Sequence, residues 1–384
     1  MTKHDKEVYS SVKALYHRSS MVKILRGEQP YPRHIELVIS DLCNHDCGFC
    51  SYRMSGYISN TLFQETGGNT RKDRNPNRQI PREKCFEIID DCVAMGVGAI
   101  QFTGGGEPTI HPDFVEIVKY AQERGLDTAL VTNGSMLHER TVREVCVKMV
   151  WVRVSIDAAT SEHYSEERRI PAKAFYTMIS GLLSLCAEAR AADSGVVIGT
   201  GFVVTPRNYR QIYEATRLYK STGAQHIRIG LQFNSDWEEP FRAIWDDVRD
   251  QTSRAVADFD SSDFVVIDRT QQRFDEFAGR HTGKVDYKFC GFQNFTNYIG
   301  GDLNIYRCCQ WAFHPRGLVG SIKEQSLKEF YDSADKKKDF QEFDARKCGN
   351  CQFHACNKAI HAVIDDPDIM NHLNDEDPGH LNFV

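Results

Sequence analysis

Short apolar runs alternate with amphipathic helical segments from residue 34 to residue 233. Each run is rich in Val, Ile or aromatic residues and nearly continuous in apolar character, which is typical of a buried strand. The runs are HIELVIS (34–40), GAIQFT (98–103), DTALVTN (127–133), VWVRVSID (150–157), VVIGTGFVV (196–204) and HIRIGLQF (226–233). Strands that alternate with helices predict parallel pairing through right-handed crossovers. The predicted fold class is α/β, and the pattern leaves both a doubly wound sheet and a partial barrel open.

The segments outside this repeat differ in character. A helical extension (1–33), helical over about 5–26, precedes the first strand, and a charged helical connector (236–284) follows the last one. The next segment (285–365) contains the hairpin-like text NYIGGDLNIYRCC and a group of cysteines, which predicts a small metal-binding domain. An acidic tail (366–384) either packs over the barrel mouth or stays loosely ordered.

One insertion interrupts the repeat between Tyr57 and Gln79. Its sequence, which includes GGNTRKDRNPNRQ, is polar and basic. A solvated surface loop is the simpler interpretation. Because the insertion follows a cysteine cluster directly, a lid or a substrate contact is the alternative.

Composition narrows the functional classes. Hydrophobic residues make up 41% of the chain and charged residues 26%, and the net charge of -6 disfavours indiscriminate nucleic-acid binding. The sequence has neither a signal-peptide core nor an apolar stretch of about 20 residues, so we expect a cytoplasmic protein that does not span a membrane. In that compartment the 13 cysteines favour metal binding over disulfides. Four isolated cysteines predict buried structural thiols: Cys85, Cys92, Cys146 and Cys186.

The segment DLCNHDCGFC places three cysteines in a Cys-x3-Cys-x2-Cys pattern directly after the first strand. These are Cys43, Cys47 and Cys50. Three soft thiolates on one tight loop suit an iron-sulfur cluster, and three protein ligands leave one iron open. The alternative is zinc, for which His45 offers a fourth ligand.

Small and polar residues follow the next three strands. Gly104, Gly105, Gly106 and Glu107 form a glycine loop that lets a ligand approach bare backbone beside an acceptor carboxylate. Thr132, Asn133, Ser155 and Asp157 follow the third and fourth strands. Because parallel strands end at the same edge, we expect these residues to line one cavity.

With these motifs the sequence resembles a radical S-adenosylmethionine (SAM) enzyme over residues 34 to about 235. That family has a three-cysteine loop after the first strand of a partial β/α barrel, with an aromatic residue before the last cysteine, and a Gly-Gly-Glu element after the second strand. The matching residues are Cys43, Cys47 and Cys50 with Phe49, and Gly105, Gly106 and Glu107. The resemblance therefore implies a partial (β/α)6 TIM-like barrel that uses a 4Fe-4S cluster and SAM.

The resemblance also implies roles for individual residues. The Gly-Gly-Glu element is expected to hold the methionine amino group of SAM. Asn133, Ser155 and Asp157 fall where family members contact the ribose and methionyl parts, and Arg169 is expected to reach the SAM carboxylate. Reductive cleavage of SAM gives methionine and a 5'-deoxyadenosyl radical, which abstracts a hydrogen from the substrate.

A second group of cysteines resembles the Twitch, or truncated SPASM, extension of some of these enzymes. That extension binds one auxiliary 4Fe-4S cluster, and the residues that fit it best are Cys290, Cys308, Cys348 and Cys351. Cys309 and Cys356 are left as spare or alternative ligands. Because no cysteine follows Cys356, we expect one auxiliary cluster, with a structural zinc as the alternative.

The substrate is the least determined feature. Resemblance to Twitch enzymes of the inosamine dehydrogenase type implies oxidation or rearrangement of a small polar substrate such as a sugar, cyclitol or nucleoside. The alternatives are peptide maturation, although only about 33 residues precede the first strand, and nucleic-acid base modification, supported only by the basic loop from Arg71 to Arg78.

Other partners and a different functional class follow from the same features. We expect an electron donor of the flavodoxin or ferredoxin type. A non-catalytic iron-sulfur electron carrier or a zinc-structured binding protein is the alternative from another class. An electron carrier, however, needs no Gly-Gly-Glu pocket.

Overall fold

A ten-stranded sheet lies at the centre of the molecule. The computed structural model describes residues 10–52, 78–232, 241–271, 285–349, 351–373 and 378–384. The strands are β1 His34–Leu37, β2 Ala99–Phe102, β3 Asp127–Thr132, β4 Trp151–Ser155, β5 Val197–Val204, β6 His226–Leu231, β7 Val265–Asp268, β8 Thr296–Ile299, β9 Asn304–Tyr306 and β10 Leu318–Ser321. Their order is β10-β9-β8-β1-β2-β3-β4-β5-β6-β7, and every neighbouring pair from β8 through β7 is parallel.

The α/β fold class is confirmed, and the six predicted strands are β1 to β6. The short run at 264–268, predicted to lie in the connector, forms β7 and extends the parallel sheet beyond β6. A four-residue strand after a long helix is too short to show a period, so its pattern did not predict that it joins the sheet.

The two faces of the strands have different surroundings. Ile35 and Leu37 of β1 and Phe102 of β2 are fully buried. Glu36 and Gln101 are register partners and point to the opposite face, towards the interior of the partial barrel. The apolar face packs against helices, and this packing forms the main core.

Helices connect the strands and cover their outer face. Among the described residues, the α-helices longer than one turn are Arg18–Leu25, Arg82–Met95, Phe114–Glu123, Arg140–Cys146, Ser161–Arg168, Lys173–Ala191, Ile212–Ser221, Trp245–Phe259, Leu327–Asp332, Ala334–Glu342 and His354–Asp365. The predicted structural thiols all lie in the main core, as expected: Cys85, Cys92, Cys146 and Cys186.

The C-terminal cysteine segment is joined to the barrel by its first strand. Strand β8 pairs with β1 in parallel, from His34 opposite Thr296 to Leu37 opposite Ile299. The predicted hairpin then turns through Gly300 and Gly301 into the antiparallel strand β9. A Cβ on Gly301 would lie 2.8 Å from the Asp41 carboxyl group, so this turn packs directly beside the first cysteine loop.

Residues 378–384 of the acidic tail pack at the end of the barrel opposite its mouth, which differs from both interpretations of the sequence. Phe383 packs edge-on against His34 and Trp151, which begin β1 and β4. Buried Lys13, from the N-terminal helical extension, donates hydrogen bonds to the carbonyl groups of His380 (3.0 Å) and Phe383 (3.1 Å). The tail segment 378–384 is therefore held at the N-terminal ends of the strands rather than over the barrel mouth, because its apolar residues find their partners there.

Two sequence predictions concern other parts of the chain. The basic insertion lies almost entirely outside the described residues, which resume at Arg78. Among the described helices, none alone has the length and apolar character to cross a membrane. One bent pair, Ser161–Arg168 with Lys173–Ala191, meets that criterion only when its two helices are taken together.

Candidate functional site

The loop that carries Cys43, Cys47 and Cys50 leaves the C-terminal end of β1 and turns tightly. The Cys50 amide donates to the Cys47 carbonyl at 3.2 Å. The amides of Asp46 and Gly48 donate to the carbonyls of Arg168 and Glu167, both at 3.1 Å. Backbone bonds therefore fix the cysteine loop to the end of the helix Ser161–Arg168, which follows β4.

The three thiols lie close enough to influence one another. Burial raises the pKa of Cys47 to about 12; the Arg168 guanidinium opposes this shift, and the neighbouring Cys50 and Cys43 add to it. A metal must therefore displace these thiol protons in order to bind. The His45 ring is buried and packs edge-on against Tyr164, with ring centroids 6.1 Å apart.

Arg168 lies among the predicted site residues, although the sequence analysis did not select it. Its guanidinium donates to the Cys47 Sγ at 3.6 Å and to the Ser155 carbonyl at 2.7 Å, and it forms a buried ion pair with Asp157. The same group lies 5.5 Å from the centre of the Phe49 ring. One buried arginine therefore contacts four of the residues predicted to serve the cluster and SAM.

The predicted residue, Arg169, is about half-exposed and lies against the outside of the cysteine loop, with one guanidinium nitrogen 3.5 Å from the Cβ position of Gly48. Its backbone adopts a left-handed conformation (φ 52°) that ends the helix, and its side chain, 46% exposed, pairs with Asp46 at 3.4 Å. Helical spacing carried the signal that separates the two arginines. Arg168 is four residues after the fully buried Tyr164 and shares its helix face.

The glycine loop packs against the cysteine loop. A Cβ on Gly106 would lie 1.8 Å from the Leu42 carbonyl oxygen, and one on Gly105 would lie 2.3 Å from Asp41 Oδ1. The Glu107 amide donates to the same Leu42 carbonyl at 2.7 Å. These glycines therefore allow the loops after β1 and β2 to touch, one residue before Cys43.

The Glu107 side chain is turned into the protein. Its Oε1 accepts hydrogen bonds from Thr109 Oγ1 and Thr132 Oγ1, both at 2.6 Å, and from the Thr109 amide at 3.1 Å. Its Oε2 accepts one from the Asn133 amide at 2.6 Å. Burial raises the pKa of Glu107, and these hydrogen bonds oppose the shift. The carboxylate thus joins the ends of β2 and β3, and its expected contact with the SAM amino group stays a prediction.

The remaining predicted SAM contacts surround the same loop. Asn133 Nδ2 donates to Asn44 Oδ1 at 2.9 Å and lies 3.9 Å from the Cys43 Sγ. Asp157 is fully buried, and its Oδ1 accepts a 2.6 Å hydrogen bond from the Val203 amide. Ser155, two residues earlier on β4, contributes its carbonyl to Arg168. The ends of β1 through β5 therefore meet at one place.

The cysteines of the second group also lie near one another. Burial is the main cause that raises the pKa of Cys290, and the nearby Cys351 and Cys348 add to it. Burial likewise raises the pKa of Cys308, which lies close to Cys351 and Cys290. The structure therefore brings the four cysteines predicted for the auxiliary cluster together. Cys356, from the helix His354–Asp365, is buried and lies near Cys351.

Cys309 packs against a different cluster of buried residues from its neighbour Cys308. Its thiol hydrogen-bonds to Glu36 inside the barrel and accepts a 3.2 Å hydrogen bond from Gln352 Nε2. Burial raises the pKa of Glu36 to about 7, and the Cys309 hydrogen bond and the Arg153 charge oppose the shift. Cys309 thus connects the C-terminal segment to the barrel interior.

Both cysteine groups suit an iron-sulfur cluster by donor chemistry. In the described residues, no three His, Cys, Asp or Glu side chains form a site for a single metal ion. A cluster does not require that geometry, because each thiolate binds a different iron. At the first loop, the buried Arg168 Nε is a hydrogen-bond donor that lacks an acceptor among the described residues, and cluster sulfide can supply one.

A family model described as the Radical SAM superfamily matches residues 37–239. The chain is 26% identical to the AdoMet-dependent heme synthase of Methanosarcina barkeri (strain Fusaro / DSM 804), covering 84% of this chain and 89% of that protein. It is also 26% identical to the mycofactocin maturase MftC of Mycobacterium tuberculosis (strain ATCC 25618 / H37Rv), covering 84% and 79%. The predicted family, its enzymatic character and its cofactors, a 4Fe-4S cluster and SAM, are confirmed.

Solved structures share the fold at low sequence identity. Streptococcus suis SuiB bound to the precursor peptide SuiA aligns with a TM-score of 0.58 and 14% identity, covering 88% of this chain and 74% of that one. The native anSMEcpe structure with bound AdoMet aligns with a TM-score of 0.56 and 15% identity, covering 85% and 89%. These likenesses confirm a partial barrel for this chain.

Proposed function

Because this chain belongs to the radical SAM superfamily, we propose that it is a radical enzyme that modifies a peptide. The observation that carries this proposal is the similarity to the mycofactocin maturase MftC. It extends over 84% of this chain, well beyond residues 37–239, and so reaches into the C-terminal cysteine segment. The fold likeness to SuiB bound to a precursor peptide supports the same substrate class.

This proposal favours the peptide alternative over the small polar substrate expected first. A partial barrel has room for an extended segment at the C-terminal ends of its strands, where the site lies. Because one relative is named as a heme synthase, a non-peptide substrate is the competing hypothesis. The cytoplasmic location and the flavodoxin- or ferredoxin-type electron donor stay predictions.

We assign Cys43, Cys47 and Cys50 as ligands of the SAM-binding cluster. When bound, that cluster supplies the electron that cleaves SAM to the 5'-deoxyadenosyl radical. Gly105 and Gly106 offer bare backbone beside it, and Asn133 places an amide next to the Cys43 thiol. Phe49 places its ring 5.5 Å from the Arg168 guanidinium carbon, within reach of a cation–π contact.

Ser155, Asp157, Glu107 and Arg169 are proposed to complete the SAM site. Asp157 and Glu107 act mainly by holding other groups, since both carboxylates are occupied by hydrogen bonds within the chain. The Arg169 side chain is half-exposed and is not packed in the core, so it can turn towards the carboxylate of bound SAM.

The auxiliary cluster is proposed to be held by Cys290, Cys308, Cys348 and Cys351. These four come from three separated segments, so the cluster would fasten the ends of the C-terminal region together. Cys309 is not assigned as a ligand, because its thiol hydrogen-bonds to Glu36 inside the barrel.

The test is to present the reconstituted enzyme with an mRNA-displayed library of short peptides, SAM and dithionite. We expect a subset of peptides to change mass and 5'-deoxyadenosine to form in proportion. A Cys43/Cys47/Cys50 triple alanine variant is the control for both signals. If no peptide changes while 5'-deoxyadenosine still forms, the peptide proposal fails, and porphyrin and sugar substrates become the next probes.

A further inference from the structure

Arg168 is buried, with only 4% of its surface exposed, at the point where the cysteine loop meets the end of β4. Of the residues in contact with it, Cys47 is a proposed cluster ligand and Asp157 is its ion-pair partner. Tyr164 and Phe49 place their rings 5.7 and 5.5 Å from the guanidinium carbon. The guanidinium is therefore fixed in position beside one sulfur of the loop.

The hydrogen-bonding capacity of this guanidinium is only partly used inside the chain. One terminal nitrogen donates to Cys47 Sγ, and the other donates to the Ser155 carbonyl and the Asp157 carboxylate. The buried Nε–H lacks an acceptor among the residues that the structure describes. A buried donor without an acceptor is costly, so its position beside the proposed cluster ligands points to an anionic acceptor that binds there.

The ion pair gives the local field a direction. Asp157 lies on one side of the guanidinium and the Cys47 sulfur on the other, so the positive end of this dipole faces the cysteine loop. In a buried site such a dipole acts strongly. Hydrogen bonds to cluster sulfurs and nearby charge are among the features that set the reduction potential of an iron-sulfur cluster.

From this geometry we propose that Arg168 is a positioning residue that orients the Cys47 thiolate and raises the reduction potential of the SAM-binding cluster. Gaining an electron makes the cluster more negative, and the guanidinium stabilises that form more than the oxidised one. The inference rests on the proposed assignment of Cys43, Cys47 and Cys50, and it does not depend on the identity of the substrate.

The test is a potentiometric titration of the reconstituted holoenzyme followed by EPR. The signal that changes on adding SAM identifies the relevant cluster. For Arg168→Met we expect the equilibrium constant of one-electron reduction to fall about tenfold, a shift of about 59 mV to lower potential. For Asp157→Asn, which removes the opposing charge, we expect a shift in the other direction.

Arg207→Met is the matched control. Arg207 NH2 lies 3.4 Å from the Cβ position of Gly48 in the same loop, but its side chain is 63% exposed. Solvent and salt screen such a charge, so we expect less than a quarter of the Arg168→Met shift in 0.5 M salt. Arg168→Lys keeps a charge but lacks the planar fork, and an intermediate potential is expected.

Several results would overturn the inference. The first is a reduction potential of the Arg168→Met protein that differs from wild type by less than a quarter of the expected shift, with iron content intact. Equal shifts in the Arg168 and Arg207 variants would show a non-specific charge effect. If Arg168→Met binds too little iron to titrate, the reduction potential of Arg168→Lys is compared with that of wild type instead, and the absence of a shift to lower potential overturns the inference. A SAM-responsive signal that survives in the triple alanine variant would refute the ligand assignment and the inference with it.

Discussion

Replacing Gly106 with alanine is expected to damage the cluster site through the backbone alone. The new Cβ would lie 1.8 Å from the Leu42 carbonyl oxygen and 2.4 Å from its carbon, which are backbone atoms that no rotamer change can move away. The loops after β1 and β2 must therefore separate. Separation also stretches the 2.7 Å hydrogen bond from the Glu107 amide to the Leu42 carbonyl.

The cost can be approximated from its parts. Forcing one extra methyl group into a packed site costs about 1–3 kcal/mol. A weakened backbone hydrogen bond adds about 1 kcal/mol. The free energy of unfolding of the Gly106→Ala holoenzyme should therefore be about 2–4 kcal/mol lower than that of wild type. Because Leu42 precedes Cys43, the variant should also lose about half of its iron.

The measurement is a urea unfolding midpoint together with an iron count, both under anaerobic conditions. Gly195→Ala is the matched control, because a Cβ on Gly195 meets nothing within 4 Å. That variant should stay within about 0.5–1 kcal/mol of wild type. A Gly106→Ala protein with a wild-type midpoint and full iron would show that the two loops are not packed as described.

Three further predictions test other parts of the structure. Burial raises the pKa of Glu36 from 4.5 to about 7, so the folded protein keeps a proton in this window that the unfolded chain has lost, and the free energy of unfolding falls as pH rises from 4.5 to 7. Urea unfolding of Glu36→Gln between about pH 5 and 8 should show a smaller fall than wild type, and parallel profiles would contradict this. Phe383→Ala should cost about 3 kcal/mol in thermal or urea unfolding, because its ring is buried against the strands. Tyr176→Ala, at a side chain 64% exposed, should cost almost nothing, and equal losses would argue against the packed tail. Cys290→Ala should lose the iron of one cluster while Cys309→Ala keeps it, as counted by iron analysis of the holoenzymes, and the reverse result would exchange their assignments.

Much of the barrel could be predicted because its signals are local. Each of β1 to β6 is a nearly continuous apolar run between helices. Such a run can be recognised as a buried strand from its own residues, without knowing which strands it pairs with. The cysteine loop and the Gly-Gly-Glu element are equally local, since ligand spacing and glycine backbones are written in a few consecutive residues. The buried position of Arg168 was not predicted, although it lies four residues after Tyr164 on the same helix face, because the sequence alone does not show which face of a short polar helix is buried.

The sequence by itself determined the alternation of parallel strands with helices, the cysteine spacing and the family. Only the tertiary structure decided that β8 pairs with β1, that the tail packs beneath the barrel, and that the Glu107 carboxylate turns inward to Thr132 and Asn133. The physical reason is that these contacts join residues far apart in the chain. Their free energy depends on which surfaces meet after the sheet has formed, and no periodicity or motif along the sequence records that.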